Sequence, residues 1–262
     1  MNKYFIYQVD AFAEELFAGN PAAVCPLDDF LPDEILQKLA AENNLSETAF
    51  IVKQSDGSYY IRWFTPTVEV DLCGHATLAA AYVLFNELKH KEDIIRLQSK
   101  SGVLEVTRNG DLITLNFPAN HPIEINAPKG LLEGLKISSG KVYKAAWDYM
   151  VVLDKQDDIE KLDPDFLILS TVESRGVIVT SKGNETDFVS RCFYPQSGIN
   201  EDPVTGSAHT ITVAYWSKEL NKTRLTAKQL SARSGYLECE LKDDRVLMSG
   251  KAVLYMKGEY YI

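Results

Sequence analysis

Glu201-Asp202-Pro203-Val204-Thr205-Gly206-Ser207-Ala208-His209 is the stretch of this chain best suited to chemistry. A polar loop runs through Asp-Pro into Thr-Gly-Ser, and an apolar run, Thr210 to Trp216, continues as a buried helix. Small residues at such a start let first-turn N–H groups approach a ligand closely, and the helix dipole favours a negative group there. Asp71-Leu72-Cys73-Gly74-His75-Ala76-Thr77 leads in the same way into a second apolar helix, Leu78 to Phe85. Each copy follows an aromatic-x-Pro triplet, Phe64-Thr65-Pro66 or Phe193-Tyr194-Pro195, and Gly74 and Gly206 stand about half the chain apart. The spacing predicts an internal duplication in which each half offers one helix N-terminus. The plainer reading is two core helices that each happen to start at glycine.

Two further polar residues stand where chemistry is possible. Glu47 lies at a loop-to-strand edge between Ser46 and Thr48, just before the apolar strand Ala49 to Val52. A half-buried carboxylate there has a raised pKa suited to proton transfer; the plainer reading is a solvated turn residue. Asn20 precedes Pro21 and is pushed out of the helical region, so an extended loop presents its side chain to a substrate or uses it in a simple Asx turn.

The elements that must position these groups are many short strands and few helices. Tyr4 to Val9 and Ala22 to Cys25 read as strands, followed by a helix opening at Leu31-Pro32-Asp33 and closing at Asn43-Asn44. Asn109-Gly110 signals a type I′ hairpin. The Pro-rich stretch Pro118 to Pro128 reads as a domain boundary, giving an N-terminal lobe of 1–117 and a C-terminal lobe of 118–251. The last strand, 252–262, is expected to pack back on the first lobe. Strands in this number with two strongly apolar helices predict an α+β fold of two curled sheets, each wrapped on one central helix.

Composition narrows the class. The chain has 262 residues, 45% of them hydrophobic and 24% charged, enough for ordinary cores. A net charge of −10 argues against nucleic acid or an anionic membrane as partner, but not against a small anion at a helix start. The first residues are too short an apolar stretch for a signal segment, and Ala76 to Phe85 is too short to span a bilayer. Four scattered cysteines without a C-x-x-C pair suit a reducing compartment, so a cytoplasmic protein is expected. The four histidines show no metal-ligand spacing, and no glycine-rich nucleotide loop occurs, so neither a metal nor a cofactor is expected.

Taken together, Gly19-Asn20-Pro21-Ala22-Ala23-Val24, Leu45-Ser46-Glu47-Thr48-Ala49-Phe50, Asp71 to Thr77 and Glu201 to His209 resemble the phenazine-biosynthesis PhzF-like family, in order and over nearly the whole chain. The resemblance implies the diaminopimelate-epimerase fold: two pseudo-symmetric lobes, each a barrel-like, mainly antiparallel sheet around one helix, with the active site in the cleft between. It implies that Glu47 is the proton-transferring acid/base, and that Glu47, His75, Asp202 and Ser207 surround a small carboxylate-bearing substrate. It further implies a cofactor-independent isomerase, commonly a homodimer, acting on a trans-2,3-dihydro-3-hydroxyanthranilate-like compound.

In that reading the substrate carboxylate meets first-turn amides at Gly74, His75 and Ala76 and at Gly206, Ser207 and Ala208, with Ser207 donating its hydroxyl. Asn20 adds a contact. Asp202 orients His75 or meets an amino or hydroxyl group of the substrate; the plainer role of Asp202 and Ser207 is capping of the second helix. Because a helix N-terminus disfavours imidazolium, His75 is expected as a neutral donor. Epimerase relatives use one cysteine per lobe, whereas here Cys73 stands in the first position and Pro203 in the second. A two-thiol racemase is therefore disfavoured, and Cys73 reads as a small buried residue. The alternatives are an epimerase or racemase of a small amino or imino acid and a catalytically idle carboxylate binder.

Overall fold

The computed structural model covers residues 1–262, in two compact units, Met1–Asn116 with Ser249–Ile262 and Phe117–Met248. The division falls inside two strands, so the chain passes from one unit to the other twice.

The first unit contains β1 (Lys3–Ala11), β2 (Asn20–Leu27), α1 (Asp33–Asn43), β3 (Glu47–Lys53), β4 (Tyr59–Phe64), β5 (Glu69–Val70), α2 (Gly74–Tyr82), β6 (Ile94–Ser99), β7 (Gly102–Asn109) and most of β8 (Leu112–Pro118). The second contains β9 (Ile123–Ile125), α3 (Leu131–Gly134), β10 (Lys141–Ala145), β11 (Asp148–Val152), α4 (Gln156–Glu160), α5 (Phe166–Leu169), β12 (Gly176–Lys182), β13 (Phe188–Phe193), α6 (Gly206–Leu220), β14 (Arg224–Gln229), β15 (Gly235–Lys242) and most of β16 (Arg245–Gly250). The closing strand β17 (Ala252–Tyr261) returns to the first unit and pairs antiparallel with β1, from Lys3 opposite Tyr261 to Ala11 opposite Ala252.

The duplication is visible in the ladders of each unit. In the first, β1 runs antiparallel to β2, β2 parallel to β3, β3 antiparallel to β4, β4 parallel to β6, and β6 antiparallel to β7. In the second, the same alternation runs through β10, β11, β12, β13, β14 and β15. A parallel pair needs a crossover, and both units supply helices at the matching places. Helix α1 joins β2 to β3 as α4 and α5 join β11 to β12, and α2 precedes β6 as α6 precedes β14. The fold is α+β, with mixed and mainly antiparallel pairing.

The two equivalent helices owe their place to composition. Leu78-Ala79-Ala80-Ala81 combines strong helix formers without bulk, and every residue from His75 to Ala81 is buried. A helix apolar on all sides belongs inside, and α2 packs against β1, β2 and β3. Helix α6 is buried from Ala208 to Ser217, packs on β14 and β15, and ends at Asn221 in the left-handed conformation. No helix is long and apolar enough to cross a membrane.

One turn departs from the sequence expectation. The β7–β8 hairpin pairs Asn109 with Leu112, so its centre is Gly110-Asp111 and not Asn109-Gly110. Only Gly110 has a positive φ (60°), the pattern of a II′ rather than an I′ turn.

Candidate active site

Both helix starts are built alike. Helix α2 begins at Gly74 after Cys73 and α6 at Gly206 after Thr205; neither preceding residue caps with its side chain. The first-turn amides of an α-helix have no partner within the helix, which leaves those of Gly74 and His75, and of Gly206, Ser207 and Ala208, as anion-seeking donors, while the Ala76 N–H turns to the Cys73 sulfur.

In the first unit the fold gathers Asn20, Glu47, Cys73 and His75. Glu47 is the first residue of β3, opposite Ala22 in the parallel ladder with β2, and Asn20 opens β2. Gly19 turns the chain into Asn20 with φ +65°, and a Cβ there would lie 2.2 Å from the Ala11 carbonyl oxygen. Only glycine fits this turn without strain. The Asn20 amide then lies 3.2 Å from His75 Nδ1, with both residues buried. On the other side of the ring, His75 Nε2 stands 3.1 Å from Glu47 Oε2. The two atoms are buried and form an ion pair when the ring is charged. Asn20 is thus part of a side-chain cluster and not an isolated Asx turn, and the Glu47 side chain is only 14% exposed.

The charge on His75 differs from the sequence expectation. Burial works against an imidazolium, but the Cys73 sulfur and the Glu47 carboxylate outweigh it and hold the His75 pKa well above the ordinary histidine value. Burial also pushes the Cys73 thiol up, to about 11. The helix start alone predicts a neutral ring; the neighbouring sulfur and carboxylate together act the other way. As it stands, Asn20 turns its Nδ2 donor to Nδ1, which accepts only in the neutral ring; a charged ring requires the amide turned over so that Oδ1 accepts. Glu47, Cys73 and His75 also place one ligand atom each within 4.8 Å of one another, a set suited to a soft divalent ion. Sequence spacing does not disclose that grouping.

In the second unit Asp202 and Ser207 do not cap α6. Asp202 accepts from Thr205 Oγ1 at 2.5 Å, and its N–H donates to the Cys192 carbonyl at 3.0 Å. Gln229, fully buried, fixes the loop: Thr205 N–H donates to its Oε1 at 2.8 Å, and its Nε2 donates to the Asp202 carbonyl at 2.7 Å. Ser207 Oγ accepts from Arg175 Nη2 at 3.0 Å. Arg175 in turn donates to both oxygens of the buried Asp148, from Nε at 2.9 Å and from Nη2. Sequence reading misses Gln229, Arg175 and Asp148, since no local pattern distinguishes them. His209 is a core residue: it is fully buried, its Nδ1 donates to the Thr205 carbonyl at 2.8 Å, and burial lowers its pKa to about 4. A separate concavity of this unit, lined by Lys136, Lys141, Lys161, Trp216 and Glu219 among others, contains none of the candidate residues.

Comparison with known proteins identifies the family. Residues 9–258 match the family described as phenazine biosynthesis-like protein, PhzC-PhzF. An uncharacterized isomerase of Pseudomonas aeruginosa is 54% identical over 257 residues, covering 98% of each chain. The crystal structure of a PhzF-family phenazine biosynthesis protein from Enterococcus faecalis superposes with a TM-score of 0.96 at 47% identity, covering 100% of both chains. A hydroxyproline epimerase from Agrobacterium vitis shares the fold alone, with a TM-score of 0.65 at 9% identity over 98% of this chain and 92% of that one. The chain belongs to the phenazine biosynthesis-like (PhzF) family.

Proposed function

We propose that the chain is a cofactor-independent isomerase that moves a proton between two carbons of a small carboxylate-bearing substrate, with Glu47 as both base and acid. The observation that carries this reading is the Glu47–His75 pair, a buried carboxylate and imidazole 3.1 Å apart at the start of α2. A buried ionisable group perturbed by a specific charge partner marks a candidate functional site.

The steps balance within one molecule. The Glu47 carboxylate takes a proton from an activated carbon, leaving an electron-rich conjugated system, and returns it to another carbon of that system. His75, charged beside it, and the first-turn amides of α2 favour the negative charge that passes between carboxylate and substrate. Ser207, as donor to a carboxylate, and Asp202, as partner of an amino or hydroxyl group, enter through the family resemblance. A trans-2,3-dihydro-3-hydroxyanthranilate-like compound is the substrate class proposed. A two-thiol exchange finds little support, because Cys73 is buried with its thiol pushed up to about 11 and Pro203 occupies the other position.

The experiment is turnover of such a compound in heavy water. Isomerised product carrying solvent deuterium at the reprotonated carbon is expected. Tight binding with no product would make the chain an idle binder, and loss of optical rotation in a free amino or imino acid would move it to the epimerases.

A further inference from the structure

We propose that Arg175 is a positioning and specificity-determining residue that holds Ser207 and biases its hydroxyl to donate toward an anionic ligand group. The inference rests on the reading of Ser207 as a carboxylate contact and adds a residue that sequence patterns did not mark.

The chemistry is one of donor accounting. A guanidinium has five N–H donors and no acceptor, so Ser207 Oγ, 3.0 Å from Arg175 Nη2, must be the acceptor in that bond. The serine hydrogen is left over, and it finds no acceptor in the structure, because no hydrogen bond donated by Ser207 Oγ forms. A hydroxyl without such a neighbour rotates between donor and acceptor roles. With Arg175 in place one of its two lone pairs is taken, and the hydroxyl is biased toward a partner that accepts, such as a carboxylate oxygen.

The guanidinium is itself held. Asp148, 2% exposed, takes Nε and Nη2 in a two-point grip, and the Tyr194 ring lies under the guanidinium at 5.4 Å. Gly176 makes room for that ring, since a Cβ there would meet it at 2.1 Å. Yet the Arg175 side chain stays 44% exposed, and its Nη1 makes no hydrogen bond. A buried anchor with an open face describes a group oriented toward a ligand rather than one closed into the core.

The test is calorimetric titration of the full chain with two probes, 2-aminobenzoate and its neutral counterpart 2-aminobenzamide. Wild type is expected to prefer the carboxylate, and Arg175→Lys to lower carboxylate affinity about tenfold, the usual worth of a charge-assisted hydrogen bond, while sparing the amide. Since Arg175→Gln alone leaves Asp148 buried and unpaired, the paired variant D148N/R175Q repeats the measurement with a neutral grip. In a Ser207→Ala background the Arg175 substitutions should cost much less than in wild type, because the two act as one unit. Equal losses with and without Ser207, equal losses for both probes, or a wild type indifferent to the carboxylate each overturn the proposal. Binding needs no turnover, so a chain that discriminates the probes but incorporates no deuterium loses the isomerase reading and keeps this one.

Discussion

Glu47 Oε2 and His75 Nε2 stand 3.1 Å apart at the start of β3 and the first turn of α2, with side chains 14% and 5% exposed. The Cys73 sulfur and this carboxylate both favour a charged ring. Glu47→Gln preserves shape and removes the base. Its expected effect is a rate loss of about 10²–10⁴ with little change in unfolding temperature, the usual worth of a positioned acid/base. Steady-state kinetics on the true substrate checks it, and an unimpaired variant removes Glu47 from the mechanism.

Cys73 neighbours the same ring, its sulfur 3.6 Å from His75 Nδ1, but burial pushes its thiol up to about 11. A thiol that stays protonated at neutral pH is a poor proton carrier. Cys73→Ala therefore keeps most of the activity and the incorporation of solvent deuterium. A loss as deep as that of Glu47→Gln makes the thiol a participant.

Gly19 sets Asn20 against His75. With φ +65° and the Ala11 carbonyl oxygen 2.2 Å from any added Cβ, Gly19→Ala is strained twice over. The left-handed backbone alone costs about 1–2 kcal/mol, and relief of the clash displaces Asn20. Lower stability in urea and a lower rate are expected together; a variant as stable and active as wild type contradicts this account of the turn.

His209 gives a pH signature of folding. Its pKa is lowered to about 4 from 6.5, with burial as the cause. As pH falls through about 6.5 the unfolded chain takes up a proton that the native ring accepts only near 4, so stability drops across that window and levels below it. The gap corresponds to about 3 kcal/mol. His209→Gln keeps a donor for the Thr205 carbonyl and abolishes this titration. Urea denaturation at a series of pH values should show a flatter slope between 6.5 and 4 than in wild type, and parallel slopes refute the assignment.

Local chemistry made much of this protein legible in its sequence. Helix starts at Gly74 and Gly206 follow from small residues ahead of apolar runs, and both α2 and α6 begin there. The left-handed end of α1 at Asn44 and the edge position of Glu47 are likewise short-range facts. Even the duplication shows as an echo of motifs, since each unit repeats one order of parallel and antiparallel pairs. The hairpin at Gly110 formed with its centre one residue later than Asn109-Gly110 suggests, because pairing register and not turn propensity alone fixed the turn.

What sequence spacing leaves open is who meets whom. Glu47, Cys73 and His75 converge because β3 lies parallel to β2 and α2 packs across β1, β2 and β3, and that convergence reverses the charge a helix start alone assigns to His75. Asp148, Arg175 and Ser207 come from three separate elements, and Gln229 reaches the Asp202–Thr205 loop from the end of β14. A helix start depends on neighbours in sequence, so sequence determines it. A proton's resting place depends on charges a few ångströms away in space, and only the packed chain decides which residues those are.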